Sequence, residues 1–257
     1  SWAIIRKCCR GLAMGYGLVG AHLPHSYSKL IHELLGKYEY DLIELEADSF
    51  RKFIENRQYS GLNITIPYKQ DVLPLCDQVS PLAKEIGSVN TLYFEDGTLV
   101  GTNTDYGGFL YAVQRAGISL HGKRVLVLGN GGTSLTVRKA ASGAGASEII
   151  IASRKAASGC VSYQQLPLNS EVIINTTPVG MYPDNGKSLI DLADFPCCQG
   201  VIDVIYNPFK TDLLLQAQKL GIPSSNGIPM LVAQATAAAG FFLGKDFSDQ
   251  NEGIIHR

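Results

Sequence analysis

Lysine and aspartate are residue types that can give, take and orient a proton beside a polarised oxygen. Lys69 and Asp105 stand at the ends of two of three polar islands in the chain: His25-Ser-Tyr-Ser28, Asn63-Ile-Thr-Ile-Pro-Tyr-Lys69, and Asn90 with Asn103-Thr-Asp105. Each island follows an apolar run that reads as a strand. In parallel α/β sheets ligands collect beyond the carboxyl ends of the strands, so the islands are expected to face one cleft. The hydroxyls of Ser26 and Ser28, near a helix start, suit a carboxylate. The amides of Asn63 and Asn90 suit hydroxyls, and Lys69 with Asp105 forms the proton-handling pair. Each residue taken singly also fits a cap or turn, Ser26 above all. Together they describe a site for a polyhydroxylated acid.

A second constellation begins with the apolar run Lys123–Leu128, continues as Gly129-Asn130-Gly131-Gly132-Thr133-Ser134, and enters the helix-like stretch Leu135–Ala141. Strand, glycine turn and helix in that order make a dinucleotide-binding pattern. Gly129 permits the tight turn, Gly131 admits backbone close to a pyrophosphate, and the helix amino terminus offers N–H groups to the phosphates. Ser134 takes the place of the usual third small residue. The following strand ends at Ser153, Arg154 and Lys155, where an NAD site usually has an acid for the ribose 2′-hydroxyl. A guanidinium there binds a 2′-phosphate through paired charge-assisted hydrogen bonds, which points to NADP. A phosphate-loop reading of Gly180 to Ser188 fails, because five residues separate Gly180 from Gly186 and the motif requires four.

The elements that must carry these groups alternate along the chain. Strands are expected at Tyr16–Val19, Asp41–Leu45, Leu62–Ile66, Val125–Leu128, Ile149–Ile151, Val172–Ile174 and Val201–Ile205. Helices are expected at Tyr27–Leu35 behind Ser26, Ser49–Glu55 behind Asp48, and Asp212–Leu220 between Thr211 and Gly221. Three βα repeats and a ribbon, Val89–Phe94 with Leu99–Thr102 turned by Asp96-Gly97, precede a junction near Asn103–Gly107. A helix, Phe109–Ala116, then leads into the glycine-rich unit. Such alternation predicts an α/β fold with parallel sheets. Between Lys155 and Glu171 the crossover is short and leaves room only for a shrunken or irregular helix.

Composition narrows the partners. The 257 residues carry 22 Lys+Arg against 23 Asp+Glu, a formal net charge of −1, which gives no general attraction to nucleic acid or anionic membranes. A hydrophobic fraction of 46% with 18% charged residues excludes a disordered chain. Cys8–Cys9 and Cys197–Cys198 are adjacent pairs, and no CxxC occurs, so reduced buried thiols in a cytoplasmic protein are expected. The five histidines form no ligand cluster, and no metal is expected. The basic start and glycine-broken apolar run at Gly11–Leu23 do not make a signal peptide, and no apolar run reaches a membrane-spanning length. The chain starts without Met, which makes Ser1–Ala13 a candidate linker from a longer or fused polypeptide.

From about Tyr16 to Gly244 the sequence resembles the shikimate dehydrogenases. The resemblance rests on GAHLPHSYSKLIH, GLNITIPYKQ, IGSVNTL, GTNTDYGGF, VLGNGGTS, IINTTPVGM, IDVIYNP and SNGIPMLVAQA, in the family's order. It implies two domains: a three-layer α/β substrate domain, 1–104 completed by 228–257, and a Rossmann-like NADP domain, 105–227. It implies catalysis by Lys69 and Asp105, and substrate contacts at Ser26, Ser28, Thr65, Asn90, Tyr206 and Gln234. It sets Val204 and Gly227 near the nicotinamide, with the glycine turn and Ser153–Lys155 on the rest of the dinucleotide. The implied reaction is reversible, NADP-dependent reduction of 3-dehydroshikimate to shikimate in aromatic amino acid biosynthesis, by a monomer or homodimer needing no metal. Pro229 and Ser153 depart from the family's usual pattern. A dehydrogenase for quinate or an altered shikimate, and a nucleotide-sensing module without turnover, are the alternatives.

Overall fold

A computed structural model describes residues 14–23, 26–36, 38–154 and 158–256. Ser1–Ala13, His25, Lys155 and the Cys8–Cys9 pair lie outside them. The chain divides into two compact units, Ser1–Thr104 with Ala235–Arg257 and Asp105–Gln234.

The first unit contains β1 (Met14–Gly20), α1 (Ser28–Leu35), β2 (Tyr40–Glu44), α2 (Ala47–Asn56), β3 (Tyr59–Ile64), β4 (Gln78–Val79), α3 (Pro81–Ile86), β5 (Thr91–Glu95) and β6 (Thr98–Thr102). Its sheet has the order β2-β1-β3-β5-β6-β4. It is mixed rather than purely parallel, because β5 runs antiparallel to both β3 and β6. The ribbon expected from Asp96-Gly97 is the cause: both residues have positive φ, 49° and 78°, the geometry that reverses two strands over two residues. Side chains alternate across this sheet. Val19, Ile43, Leu62 and Ile64 pack with Phe50 and Ile54 of α2 on one face, and Leu18 and Tyr40 pack with Tyr16 and Phe242 on the other.

Two helix starts differ from expectation. Helix α1 begins at Ser28 behind Tyr27, and Ser26 Oγ accepts the Ser28 N–H at 3.3 Å, which makes it a local brace one residue before the cap position. Helix α2 begins at Ala47, so Asp48 lies inside its first turn, where its charge complements the positive dipole end without capping it. The third βα repeat has no full helix. A turn containing a cis Ile66–Pro67 peptide follows β3 instead.

The second unit contains α4 (Asp105–Arg115), β7 (Arg124–Leu128), α5 (Gly132–Gly143), β8 (Glu148–Ala152), β9 (Cys160–Val161), β10 (Val172–Asn175), β11 (Gly200–Asp203), α6 (Asp212–Leu220) and β12 (Ser224–Ser225). All its strands are parallel, in the order β12-β11-β10-β7-β8-β9. Val125 and Val127 face Phe109, Val137 and Ala141, while Leu126 and Leu128 face Leu213, Leu214 and Ala217. Successive β7 residues thus anchor helices on opposite sides of the sheet. Thr211 caps α6 by accepting the Leu214 N–H, and Gly221 ends it with φ 69°. Helix α7 (Ile228–Leu243) begins in this unit and ends in the first, the division falling after Gln234. Helix α8 (Asn251–Ile255) follows, held by Thr236 Oγ1 donating to Asn251 Oδ1 at 2.8 Å.

The short crossover contains no helix in its described residues. Strand β9 and the side chains of Val161, Tyr163 and Leu166 cover the sheet instead, packing around Leu126, Leu128 and Ala152. Cys76, Cys160, Cys197 and Cys198 are free thiols, but Cys197 is exposed and the others half-buried, so the expectation of buried thiols does not hold. Among the described residues no helix is long and apolar enough to cross a membrane, and no group of three or more His, Cys, Asp or Glu residues could hold a metal ion.

His32 in the first unit and Asp203 in the second are buried groups whose pKa values are shifted by burial. His32 is inaccessible, stacked on Tyr40 at 4.0 Å, and burial lowers its pKa from 6.5 to about 3. Its contribution to stability is therefore present above pH 6.5 and lost as the pH falls toward 3. Burial raises Asp203 from 3.8 to about 6, so its contribution is present below pH 3.8 and lost as the pH rises through 6. Thermal denaturation followed by circular dichroism between pH 4 and 7 should show opposite effects. His32→Phe should flatten the acid loss of stability, and Asp203→Asn should steepen it.

Candidate active site

Register brings the polar islands of the first unit to one edge of its sheet. Val19 of β1 pairs with Ile64 of β3, Asn63 pairs with Thr91, and Thr91 pairs with Thr102. The carboxyl ends of β1, β3 and β6 and the start of β5 consequently share that edge, which carries Thr65, Asn90 and Asn103–Thr104, with Lys69 in the turn after β3 and Ser26 and Ser28 in the segment that follows β1. Ser28 is buried and Ser26 half-buried. Thr65 is fixed by its N–H donating to the Val19 carbonyl at 2.9 Å. A Cβ on Gly20 would lie 2.6 Å from Thr65 Cγ2, so glycine is required for the close approach of β1 to this threonine. Lys69 sits half-buried in the following turn, with its carbonyl accepting the Val89 N–H at 2.9 Å.

Behind that edge lies a buried hydrogen-bond network. Asn90 Oδ1 accepts the Thr104 N–H at 2.7 Å and the Thr91 hydroxyl at 3.0 Å. Asn63 does not offer its amide to a ligand, contrary to expectation. Its Oδ1 accepts the Tyr40 hydroxyl at 2.7 Å, and its Nδ2 donates to the Asn90 carbonyl at 3.2 Å and to Thr91 Oγ1 at 3.0 Å. With both amide protons so used, Asn63 holds Asn90 in place. Tyr40 is a further residue of this network that sequence reasoning missed. It reads as one aromatic in an apolar strand, and only pairing of β1 with both β2 and β3 brings it to Asn63.

In the second unit Asp105 is the first residue of α4 and is buried. One turn on, Gly108 packs against α7: a Cβ there would lie 2.7 Å from the Met230 carbonyl and 3.1 Å from Gln234 Cβ. Gln234 Nε2 donates to the Leu231 carbonyl at 2.9 Å. Asp105 and Gln234 are thus carried by two helices in direct contact.

The glycine turn has the form its residues require. Gly129 has φ 105°, accessible to glycine at low cost, and a Cβ would strike Thr176 Oγ1 and Thr177 Cγ2 at 2.8 Å each. Asn130 and Gly131 are exposed, Gly132 opens α5, and a Cβ on Gly131 or Gly132 would meet nothing within 4 Å. Thr133 follows half-buried. The amino terminus of a twelve-residue helix therefore faces open space on bare backbone, a cradle that fits a pyrophosphate. Ser134 is completely buried, and its Oγ has no hydrogen-bond partner.

Arg154 is exposed beyond β8 next to half-buried Ser153, as a 2′-phosphate contact requires, while Lys155 lies outside the described residues. Tyr163 is the second residue that sequence reasoning missed. Its hydroxyl lies 3.5 Å from the Ala152 carbonyl, which also accepts the Gly129 N–H at 2.9 Å. Burial raises the Tyr163 pKa, against the opposing pull of the Arg154 charge and the Gly129 backbone. Its place in an irregular crossover gave no periodic signal. Val204 and half-buried Tyr206 follow β11, and Gly227 lies against the Val204–Ile205 peptide, where a Cβ on Gly227 would overlap the Val204 carbonyl oxygen.

Known proteins resemble this chain in sequence and in fold. The family described as shikimate dehydrogenase substrate binding domain matches residues 18–92. A shikimate dehydrogenase (NADP(+)) of Clostridium beijerinckii is 36% identical over 241 residues, spanning 87% of this chain and 89% of the relative. Among solved structures, a chorismate mutase/shikimate 5-dehydrogenase fusion protein from Clostridium acetobutylicum superposes with a TM-score of 0.87 at 32% identity, covering 95% of this chain and 96% of that one. Shikimate 5-dehydrogenase from Thermus thermophilus in complex with NADP(H) and shikimate gives a TM-score of 0.83 at 29% identity, covering 95% and 99%. With 36% and 32% identity to the two Clostridium proteins over most of both chains, the chain belongs to the shikimate dehydrogenase family.

Proposed function

We propose that this protein catalyses the reversible, NADP-dependent reduction of 3-dehydroshikimate to shikimate. The observation that carries the reading is the single sheet edge of the first unit, with Thr65 and Asn90 on it, Lys69 in the turn after β3, and Ser26 and Ser28 in the segment that follows β1. In this reading the first unit, with its carboxyl-terminal return, takes the substrate. Ser26 and Ser28 receive its carboxylate, and Thr65 and Asn90 its hydroxyls. The second unit takes the dinucleotide on residues 129–134, Ser153, Arg154 and Lys155, with Val204 and Gly227 beside the nicotinamide. The relative from Thermus thermophilus, in complex with NADP(H) and shikimate, supports both assignments.

NADPH supplies a hydride when bound. The ammonium of Lys69 polarises the substrate carbonyl and donates the proton that its oxygen requires. Asp105 is the second member of the proton-handling pair. Polarisation and proton donation both lower the energy of the alkoxide charge as it develops. Arg154 matches the 2′-phosphate in charge and geometry, since a planar guanidinium gives two parallel hydrogen bonds to phosphate oxygens. The free thiols fit a reducing cytoplasm.

An absorbance assay of NADP reduction with shikimate tests the reading directly. No turnover with shikimate, or faster turnover with quinate, would overturn it. Lys69→Ala should lower kcat by about 10³-fold, within the range of a lost general acid, while NADPH affinity stays within about twofold. Arg154→Ala should raise the KM for NADP by about tenfold or more and leave that for NAD nearly unchanged, as loss of a charge-assisted contact to the extra phosphate requires.

A further inference from the structure

Asp203 is inaccessible at the carboxyl end of β11, and every contact of its carboxylate goes to a donor. Oδ1 accepts Asn175 Nδ2 at 3.0 Å and the Ile205 N–H at 3.1 Å, and Oδ2 accepts the Thr211 hydroxyl at 2.6 Å. Three elements meet on one side chain: the end of β10, the segment leaving β11, and the cap residue of α6. A leucine or valine would fill such a site at lower desolvation cost, so burying a carboxylate here calls for a reason.

The segment that Asp203 holds supplies the reason. The Val204 N–H donates to the Asn175 carbonyl at 3.1 Å, and the Ile205 carbonyl accepts the Gly227 N–H at 2.9 Å. The Val204 carbonyl lies so near Gly227 that no side chain fits between them. The Ile205 N–H belongs to the same peptide unit as that carbonyl, and Asp203 Oδ1 accepts its proton. Fixing this N–H fixes the plane of the Val204–Ile205 peptide, and with it the direction of the carbonyl and the course of the chain toward Tyr206.

We propose that Asp203 is a positioning residue for the nicotinamide end of the dinucleotide, acting through the Val204–Ile205 peptide and its contact with Gly227. The proposal rests on the assignment of Val204 and Gly227 to the nicotinamide. At the other end of the dinucleotide, the open turn at Gly131 and Gly132 and the guanidinium of Arg154 make no hydrogen bond to Asp203. The two ends should therefore respond differently to its replacement.

Asp203→Asn keeps size and one acceptor oxygen but presents an amide to Thr211, which reverses a hydrogen bond and loosens the hub. The parent and this variant are titrated with NADPH and, separately, with 2′-phospho-ADP-ribose, which lacks the nicotinamide. The variant should lose about tenfold in NADPH affinity and bind the fragment within about twofold of the parent, with kcat reduced alongside. Thr211→Val removes one donor and preserves shape. It should lose about threefold for NADPH alone, and it decides the matter if Asp203→Asn fails to fold. Equal losses for both ligands, or no loss for either, would mean that Asp203 serves stability only and would overturn the proposal. A parent that binds the fragment and not NADPH, or neither, would overturn the cofactor assignment, and this proposal with it.

Discussion

A polar side chain buried at the end of a strand has to find its hydrogen bonds inside the protein, and that requirement shapes both units. In the first, Tyr40, Asn63, Thr91, Asn90 and Thr104 satisfy one another across neighbouring strand ends. In the second, Asn175, Asp203 and Thr211 do the same between two strands and a helix cap. An isolated amide or carboxylate in either place would cost ~1–3 kcal/mol or more. The groups are retained because, once mutually satisfied, they lock backbone directions that apolar packing alone leaves adjustable.

Glycine does complementary work at the same edges. Gly20 admits Thr65, Gly108 brings α4 onto α7, and Gly227 accepts the Val204 carbonyl. Gly129 alone among these needs its left-handed freedom; the others are glycines because neighbouring atoms occupy the space a Cβ would take. The two open positions, Gly131 and Gly132, are different again, since bare backbone there faces solvent at a helix start. One residue type thus serves as hinge, spacer and exposed donor surface within a single fold.

Much of this was readable before any coordinates. Apolar runs located the principal strands to within a few residues, because burial of both faces leaves a continuous apolar run in β7, β10 and β11. Asp96-Gly97 announced its ribbon, and Thr211 with Gly221 announced both ends of α6, because these signals are local. Helix starts at Ser26 and Asp48 shifted by one or two residues, since several polar residues there compete for the same orphan N–H groups. Long-range pairing hid the rest. The internal role of Asn63 depends on Tyr40, two strands away in the sheet, and Tyr163 reaches the glycine turn only because the crossover folds back over Ala152.

The crossover that lacks a helix has an evolutionary consequence. Between β9 and β10 the sheet is roofed by irregular chain whose anchors are a few side chains, Val161, Tyr163 and Leu166, rather than a helix with a continuous apolar stripe. Insertions and substitutions in such a segment disturb few backbone hydrogen bonds, so its length and chemistry can drift while the strands beneath stay in register. The tolerance for change therefore lies in this segment, beside the glycine turn that Tyr163 approaches, while the strand ends that carry the buried hydrogen-bond networks stay constrained.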